Sequence, residues 1–273
     1  MSTDYKDNNI WLMKGDCLER MKEIPDGTVD AIITDTPYGT TACKWDSVIP
    51  FEPMWEQLKR IIKPNGAIVL FGSQPFTSAL IMSNVKMFKY CWVWDKQRGS
   101  NFQLAKKQPM KSAEDIIVFS HKQPVYIPQF REGKPYQTKS RKRSKTIEGL
   151  VATSSAANIC TATICEDGKR YPLSIISFAR DYSKIHPTQK PVALLEYLIR
   201  TYTNEGETVL DFTAGSGTTG IAAINTNRNA ILIELDSNYC EIIKRRIAEA
   251  EKPKKNVFTG NNNAIKWLVR PTK

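Results

Sequence analysis

The sequence predicts an α/β fold in which a mainly parallel, twisted sheet carries helices on both faces. Three observations predict it. Short strand-like apolar runs recur with helical patterns between them. A glycine-rich turn joins one such run to a helix near the C-terminal end. The 273 residues, 41% of them hydrophobic, suffice for one large core carrying an insertion. A disordered or fibrous chain is excluded on that composition. The longest apolar stretches, such as residues 67–71, fall far short of the roughly 20 residues a membrane helix needs. Residues 1–16 lack a signal-peptide core, so a soluble, cytoplasmic protein with no membrane partner is expected.

Taken in order, the strand-like runs are residues 9–13, 29–35, 66–72, 90–95, 116–120, 208–211 and 229–236. Residues 53–62 and 194–203 read as crossover helices. Ser237 opens a further helix that keeps Cys240, Ile243 and Ile247 on one face and Lys244, Arg245 and Arg246 largely outside. The rhythm breaks between His121 and Ser183. There Pro, Ser, Thr and basic residues crowd around Lys139, Arg141, Lys142, Arg143 and Lys145, with Tyr126, Phe130, Tyr136 and Tyr171 scattered among them. This stretch reads as an insertion outside the core, and aromatic residues amid Lys and Arg suit nucleic acid. Taken alone, the charge run would be a solvated loop.

The formal net charge of +11 argues for a polyanionic partner, since the cations cluster. Six cysteines form no CxxC pair and no short disulfide spacing, which points to a reducing compartment. With only His121 and His186 available, a zinc site built on Cys160 and Cys165 would need distant partners, and no metal is expected. Two histidines also leave little room for a His-based triad.

Residues 208–211 run as a buried strand into Phe212-Thr213-Ala214-Gly215-Ser216-Gly217-Thr218-Thr219-Gly220, after which a helix begins. Gly215 and Gly217 permit backbone conformations and a close approach that a Cβ would block, so a ligand can lie against the helix N-terminus. The next strand delivers Glu234, whose carboxylate is placed to accept both hydroxyls of a ribose; together these describe an adenosine-type pocket. The spacing also satisfies GxGxxG, the pattern of a dinucleotide site such as that for NAD, but too few residues follow Asp236 for a second nucleotide-binding half.

The strand at 29–34 ends in Asp35-Thr36-Pro37-Tyr38-Gly39, at a carboxyl edge where open sheets place their ligands. Pro37 holds Thr36 extended, so that the Thr36 carbonyl and the Asp35 carboxylate can converge on an NH2 group. Tyr38 offers a face for a planar base. An ordinary Asx/Pro turn would read the same in isolation.

In combination, Asp35-Thr36-Pro37-Tyr38 resembles the Asp-Pro-Pro-Tyr motif of amino-methylating DNA methyltransferases, and 211–217 resembles their cofactor loop. The order is that of the permuted, beta-class N6-adenine and N4-cytosine enzymes: catalytic motif, insertion, His186-Pro187-Thr188-Gln189-Lys190-Pro191, glycine loop. The resemblance runs from about Met13 to Ile247, and Gly15-Asp16 matches the family's adenine-contacting segment. Two departures stand out. Thr36 replaces the usual first proline, which leaves its φ less restrained, and Phe212-Thr213 replaces Pro-Phe, so Thr213 lacks an aromatic ring that often packs near the cofactor.

The resemblance implies a Rossmann-like class I methyltransferase fold with a circularly permuted motif order. Residues 1–122 would form the catalytic half, 123–183 the basic target-recognition insertion, and 184–273 the cofactor-binding half. It implies transfer of a methyl group from S-adenosylmethionine to an adenine N6 amine flipped out of double-stranded DNA, without a metal or a covalent enzyme intermediate. The amine lone pair is conjugated into the ring, so an ionised Asp35 and the Thr36 carbonyl would localise it. For the cofactor, Asp211 would accept from the methionine amino group, Glu234 would bind ribose, Asp16 would reach the adenine amine beside Cys17, and Lys190 would pair with the methionine carboxylate, with Asp35, Thr213, Gly215 and Gly217 completing the pocket. Lys44, Lys96, Lys139, Arg141, Lys142, Arg143 and Lys145 are the expected DNA contacts, with Arg141 or Arg143 reading guanine edges, and Trp45, Trp94 and Phe102 as further base or backbone contacts. His186 reads as a turn residue.

Methylation of a protein glutamine is disfavoured, because there the glycine loop comes first and Asn opens the motif. N4-cytosine is the serious alternative, and Asp rather than Ser at position 35 leans towards adenine. A DNA-binding regulator without catalysis would have no use for Asp35, Tyr38 and Glu234. A homodimer and a cognate restriction endonuclease are open as partners.

Overall fold

The computed structural model describes residues 4–7, 9–39, 47–138, 141–142, 159–160, 164–181 and 189–251, with the backbone alone at 141–142, 159–160 and 164. The first half contains β1 (Tyr5–Lys6), β2 (Ile10–Lys14), α1 (Cys17–Met21), β3 (Val29–Thr34), α2 (Phe51–Ile61), β4 (Ile62–Gly72), α3 (Phe76–Ser83), β5 (Phe88–Ser100) and β6 (Lys111–Phe119). Four two-residue strands and one three-residue strand follow: β7 (Tyr136–Gln137), β8 (Arg141–Lys142), β9 (Ile159–Cys160), β10 (Ile164–Cys165) and β11 (Ile175–Ser177). The last part contains α4 (Val192–Tyr202), β12 (Thr208–Asp211), α5 (Thr218–Asn225), β13 (Asn229–Glu234) and α6 (Ser237–Ala250).

One nine-stranded sheet runs in the order β1-β2-β13-β12-β3-β4-β6-β5-β11. From β2 through β13, β12 and β3 to β4 every pair is parallel. Neighbouring pairs of β4, β6 and β5 are antiparallel. The simple alternation read from sequence misses that reversal, because β5 and β6 are joined by a hairpin with no crossover helix, and a short connection can only turn the chain back.

The central strands are covered on both faces. All six residues of β3 are buried, and its period-2 pattern splits the core. Ala31 and Ile33 pack with Leu194 and Leu198 of α4, Ala222 of α5 and Ile243 of α6. Ile32 packs with Met21 of α1, Met54 and Leu58 of α2 and Leu80 of α3. Truncating a side chain buried this deeply, such as Leu58→Ala, costs about 2–5 kcal/mol.

The helix starts follow local chemistry. Asp16 caps α1 by accepting from Leu18 N and Glu19 N, and Asp236 caps α6 by accepting from Asn238 N and Tyr239 N. Pro191, extended at φ −62°, ψ 135°, stands before the first residue of α4. Both α1 and α3 escape the sequence reading. One is five residues long, and the other is apolar nearly all round, so neither shows a helical period.

The predicted insertion is not wholly outside the core. Val125 N donates to Asn65 O (3.0 Å) and Ile127 N to Thr201 O (2.8 Å), which straps the chain across the domain. β11 then joins the sheet beside β5 and buries Ile176. Between them, Arg131 and Arg170 exchange backbone hydrogen bonds and Arg170 lies 4.1 Å from the ring centre of Tyr136.

Candidate active site

The chain leaves β3 through α2 to β4 on one side, and leaves β12 through α5 to β13 on the other. The carboxyl ends of β3 and β12 therefore flank the point where strand order reverses, where an open α/β sheet leaves a crevice. Into it project the two loops the sequence singles out, and they are bonded to each other. Thr34 Oγ1 donates to Asp211 Oδ1 at 2.6 Å and lies 2.7 Å from Thr213 Oγ1, while Thr213 Oγ1 donates to the Asp35 carbonyl at 3.1 Å.

Asp211, the last residue of β12, also accepts from Thr213 N (3.1 Å) and Thr219 Oγ1 (2.5 Å). Burial pushes its pKa up, against these hydrogen bonds. The turn that follows needs glycine: Gly217 sits at φ +76°, and a Cβ there would come within 2.8 Å of Ile243. Glu234, at the end of β13, accepts from Gly215 N (2.7 Å) and Asp236 N (2.9 Å), and burial raises its pKa as well. Its carbonyl receives Gly15 N at 3.0 Å, which places the Gly15-Asp16 turn beside the glycine loop. The Cys17 thiol is pushed up to about 12 by burial and then by the Asp16 charge. Gly15, Asp16, Cys17, Asp211, Thr213, Gly215, Thr219 and Glu234 line one cavity of about 1240 Å³, which also takes in Thr36, Pro37 and Tyr38.

At the other end of that cavity Asp35 is held by two groups. Tyr38 Oη donates to its Oδ1 at 2.6 Å and the Lys190 ammonium to its Oδ2. The Tyr38 ring stacks on Phe76 with centroids 5.1 Å apart, so one of its faces is taken by the protein. Its hydroxyl pKa is raised by burial first and the Asp35 charge second. Lys190 is also 3.3 Å from Glu114 Oε2, and Lys96 is 2.9 Å from Glu114 Oε1. Burial alone would raise the Glu114 pKa, but the two ammonium groups outweigh it and hold it low. For Lys190 the carboxylates likewise outweigh burial, and its pKa rises.

The structure thus gathers Asp16, Cys17, Asp35, Thr36, Pro37, Tyr38, Lys190, Asp211, Thr213, Gly215 and Glu234 around one cavity, with Gly217 shaping the turn behind it. Lys190, expected at the methionine carboxylate, lines the cavity and is paired there with Asp35 and Glu114. One expected contact differs. Lys96, expected at DNA, is 4% exposed and paired with Glu114, and burial lowers its pKa despite that partner. Trp94 is core, its indole N–H donating to Phe178 O at 2.9 Å. Arg141 and Lys142 form β8. Lys44, Trp45, Lys139, Arg143, Lys145 and His186 lie outside the described residues. Sequence reasoning missed Glu114 and Thr34; a carboxylate at the start of an apolar strand and a threonine closing one were the available signals.

The residues present fit a cofactor with an ammonium group and a ribose. Asp211 is a buried acceptor and Glu234 a half-buried one, both with raised pKa values and no ion-pair partner among the described residues. The buried Thr36 hydroxyl also lacks a hydrogen-bond partner among them.

A family model described as DNA methylase, for N6 and N4 methyltransferases, matches residues 29–245. The Type II methyltransferase M.HpaI of Haemophilus parainfluenzae is 26% identical over 258 residues, spanning 86% of this chain and 73% of that protein. M2.MboI of Moraxella bovis is 26% identical, covering 92% of each. Among solved structures, the M1.HpyAVI–SAM complex superposes with a TM-score of 0.58 at 25% identity, covering 87% of this chain and 99% of that one. The PvuII cytosine-N4-specific DNA methyltransferase superposes with a TM-score of 0.64 at 15% identity, covering 90% of this chain and 92% of that one, a likeness of fold. With the motif order, the crevice and the paired loops in agreement, the chain belongs to the N6/N4 DNA methylase family and uses S-adenosylmethionine as its methyl donor.

Proposed function

We propose that this chain is a site-specific modification methyltransferase that methylates the N6 amine of an adenine turned out of duplex DNA. The observation that supports the reading best is the junction of the two loops. The Asp35 carbonyl and the Asp211 carboxylate are bridged through Thr213 and Thr34, at the mouth of a cavity that both loops line.

Bound in that cavity, S-adenosylmethionine supplies a methyl group on a positively charged sulfur. In this reading Asp211 accepts the cofactor's amino group, Glu234 its ribose hydroxyls and Asp16, beside Cys17, its adenine amine, while Thr213, Gly215 and Gly217 keep the backbone close. Asp35 and the Thr36 carbonyl accept the two hydrogens of the target amine and draw its lone pair out of conjugation; as positive charge grows on nitrogen those hydrogen bonds strengthen, and the carboxylate is placed to take the proton that leaves. Pro37 fixes the turn and Tyr38 borders the base. Lys190 already has a second partner in Glu114, so it can give up Asp35 Oδ2 to the amine without becoming an unpaired buried cation.

Residues 123–183 serve target recognition, with Arg141, Lys142 and, outside the described residues, Lys44, Lys139, Arg143 and Lys145 contacting DNA. No helix among the described residues is long and apolar enough to cross a membrane; the reading places the protein in the cytoplasm, alone or as a homodimer, beside a cognate endonuclease where one exists.

The test is tritiated methyl transfer to unmethylated DNA of mixed sequence, followed by nucleoside analysis. N6-methyladenine is expected. N4-methylcytosine would overturn the choice of base, and no transfer to any DNA would overturn the function.

A further inference from the structure

The hairpin joining β5 to β6 departs from the family site already described. Residues 97–111 contain Arg98, Lys106, Lys107 and Lys111 and no Asp or Glu. Its tip exposes a large aromatic ring: Phe102 is 81% accessible, with Met110 at 47% and Leu104 at 38%. An exposed Phe at a disordered tip would mean little, but this tip is folded. Leu104 N donates to Asn101 O, Ala105 N to Phe102 O and Gln108 N to Leu104 O, each at 3.0 Å, and Ser100 Oγ donates to Lys111 O at 2.8 Å. Asn101 holds the left-handed conformation, φ +67°, that starts the 3-10 turn Phe102–Leu104.

Its direction follows from strand pairing alone. β6 is antiparallel to β4, and β5 is antiparallel to β6, so β5 runs the same way as β3 and β4. The hairpin therefore rises from the same carboxyl edge as Asp35 and Asp211. Trp94 and Glu114, paired across β5 and β6, both line the cavity. Six residues of strand beyond Trp94 reach roughly 20 Å at most, enough to carry the tip from the cavity mouth to a base stack lying across it.

We infer that this hairpin is a wedge for duplex DNA: Phe102 enters the base stack where the target base has left it, with Leu104 and Met110 against its flanks and the four cations on neighbouring phosphates. The inference rests on the reading of the chain as a DNA base methylase and says how extrusion is held. An extruded base leaves a gap whose apolar faces re-stack unless something fills them, and apolar side chains inserted at base steps are a general way to do so. A second copy of the chain is a poorer occupant, since two such hairpins bring cations together with no acidic residue between them.

The test first maps the base methylated on DNA treated with the wild-type chain. Duplexes carrying that site are then compared with duplexes in which the target's partner base is replaced by an abasic residue, so that the target is already loosened. Phe102→Ala should lose roughly ten- to a hundredfold in kcat/KM on the paired duplex and under about threefold on the abasic one, with Phe102→Trp close to wild type. Equal losses on both duplexes, or no loss, overturn the wedge, as does a changed sedimentation state without the selective loss. A second measurement does not depend on transfer. A mixed-sequence duplex containing abasic sites should quench the emission that Phe102→Trp adds over wild type, and unchanged emission overturns the wedge even if the chain methylates nothing. A chain that binds and is quenched but transfers no methyl group would instead sink the proposed function.

Discussion

Asp211 and Asp35 stand at neighbouring strand ends of one cavity, and the fold surrounds them differently. Among the described residues Asp211 is met only by dipoles: Thr34 Oγ1, Thr213 N and Thr219 Oγ1, with burial pushing its pKa up. Asp35 is met by a full charge, the Lys190 ammonium, which Glu114 shares. A carboxylate given dipoles but no cation in a buried site is incomplete until a ligand brings the charge. One given a cation of its own suits a neutral ligand, such as a base amine, that offers hydrogens and becomes positive only as it reacts. The same residue type thus has two roles set by surroundings, and substitution should separate them.

The largest effect should come from Asp35→Ala. Methyl transfer should fall by about a thousandfold or more, because the main acceptor for the developing charge is gone, while S-adenosylmethionine affinity measured by calorimetry stays within a few-fold. Retained activity would remove Asp35 from the chemistry. Lys190→Met comes next. It leaves Asp35 and Glu114, both partly buried, without their shared cation, so the melting midpoint should drop by an amount corresponding to roughly 3–5 kcal/mol. Lowering the pH should recover part of that loss, as Glu114 can then take a proton. A variant as stable as wild type at neutral pH would mean that the ammonium does not compensate those carboxylates.

Asp211→Asn tests the other half of the comparison. Cofactor affinity should weaken about ten- to a hundredfold through loss of one charged hydrogen bond, with the empty protein no less stable. The pH dependence follows from direction. The folded pKa values of Asp211 and Glu234 lie above the ordinary carboxylate value of about 4. Their contribution to stability is present below the unfolded value and lost as pH rises through the raised one. Glu114 runs the other way: its folded pKa is lowered, so its contribution is present above the unfolded value and lost on acidification. Cofactor affinity should therefore decline on acidification earlier than ordinary carboxylates would dictate, and Asp211→Asn should flatten that slope. An equal slope in both proteins would assign the pH dependence elsewhere.

Strand-to-loop transitions were the legible part of this site. Asp35 and Asp211 each follow a buried run that stops abruptly, and the glycine spacing after Asp211 is local in sequence. What was not legible depends on contacts across long separations. Thr34 meets Asp211 across 177 positions, and Lys190 finds Asp35 across 155. Nor could the run of β5 reveal that it turns back into β6, which is what brings Glu114 to Lys96 and Lys190. The helices α1 and α3 were lost for a different reason: the first is too short to show a period, and the second is apolar nearly all round.

Lys96 gives the smallest expected effect and separates the two ways of reading a cation. By sequence it follows Trp94-Asp95 near an aromatic, basic stretch and belongs to DNA. By structure it is buried, 2.9 Å from Glu114 Oε1, and burial depresses its pKa. A phosphate contact contributes close to one unit to the slope of log Kd against log salt for duplex DNA, whereas an internal ion pair contributes nothing to it. Lys96→Met keeps much of the side-chain volume and leaves Glu114 its bond to Lys190, so stability should change by no more than about 1–2 kcal/mol. Duplex affinity should keep its salt slope, with transfer reduced only a few-fold through the altered hold on Lys190. A slope shallower by about one unit would return Lys96 to the DNA surface and show that the pairing with Glu114 gives way when the duplex binds.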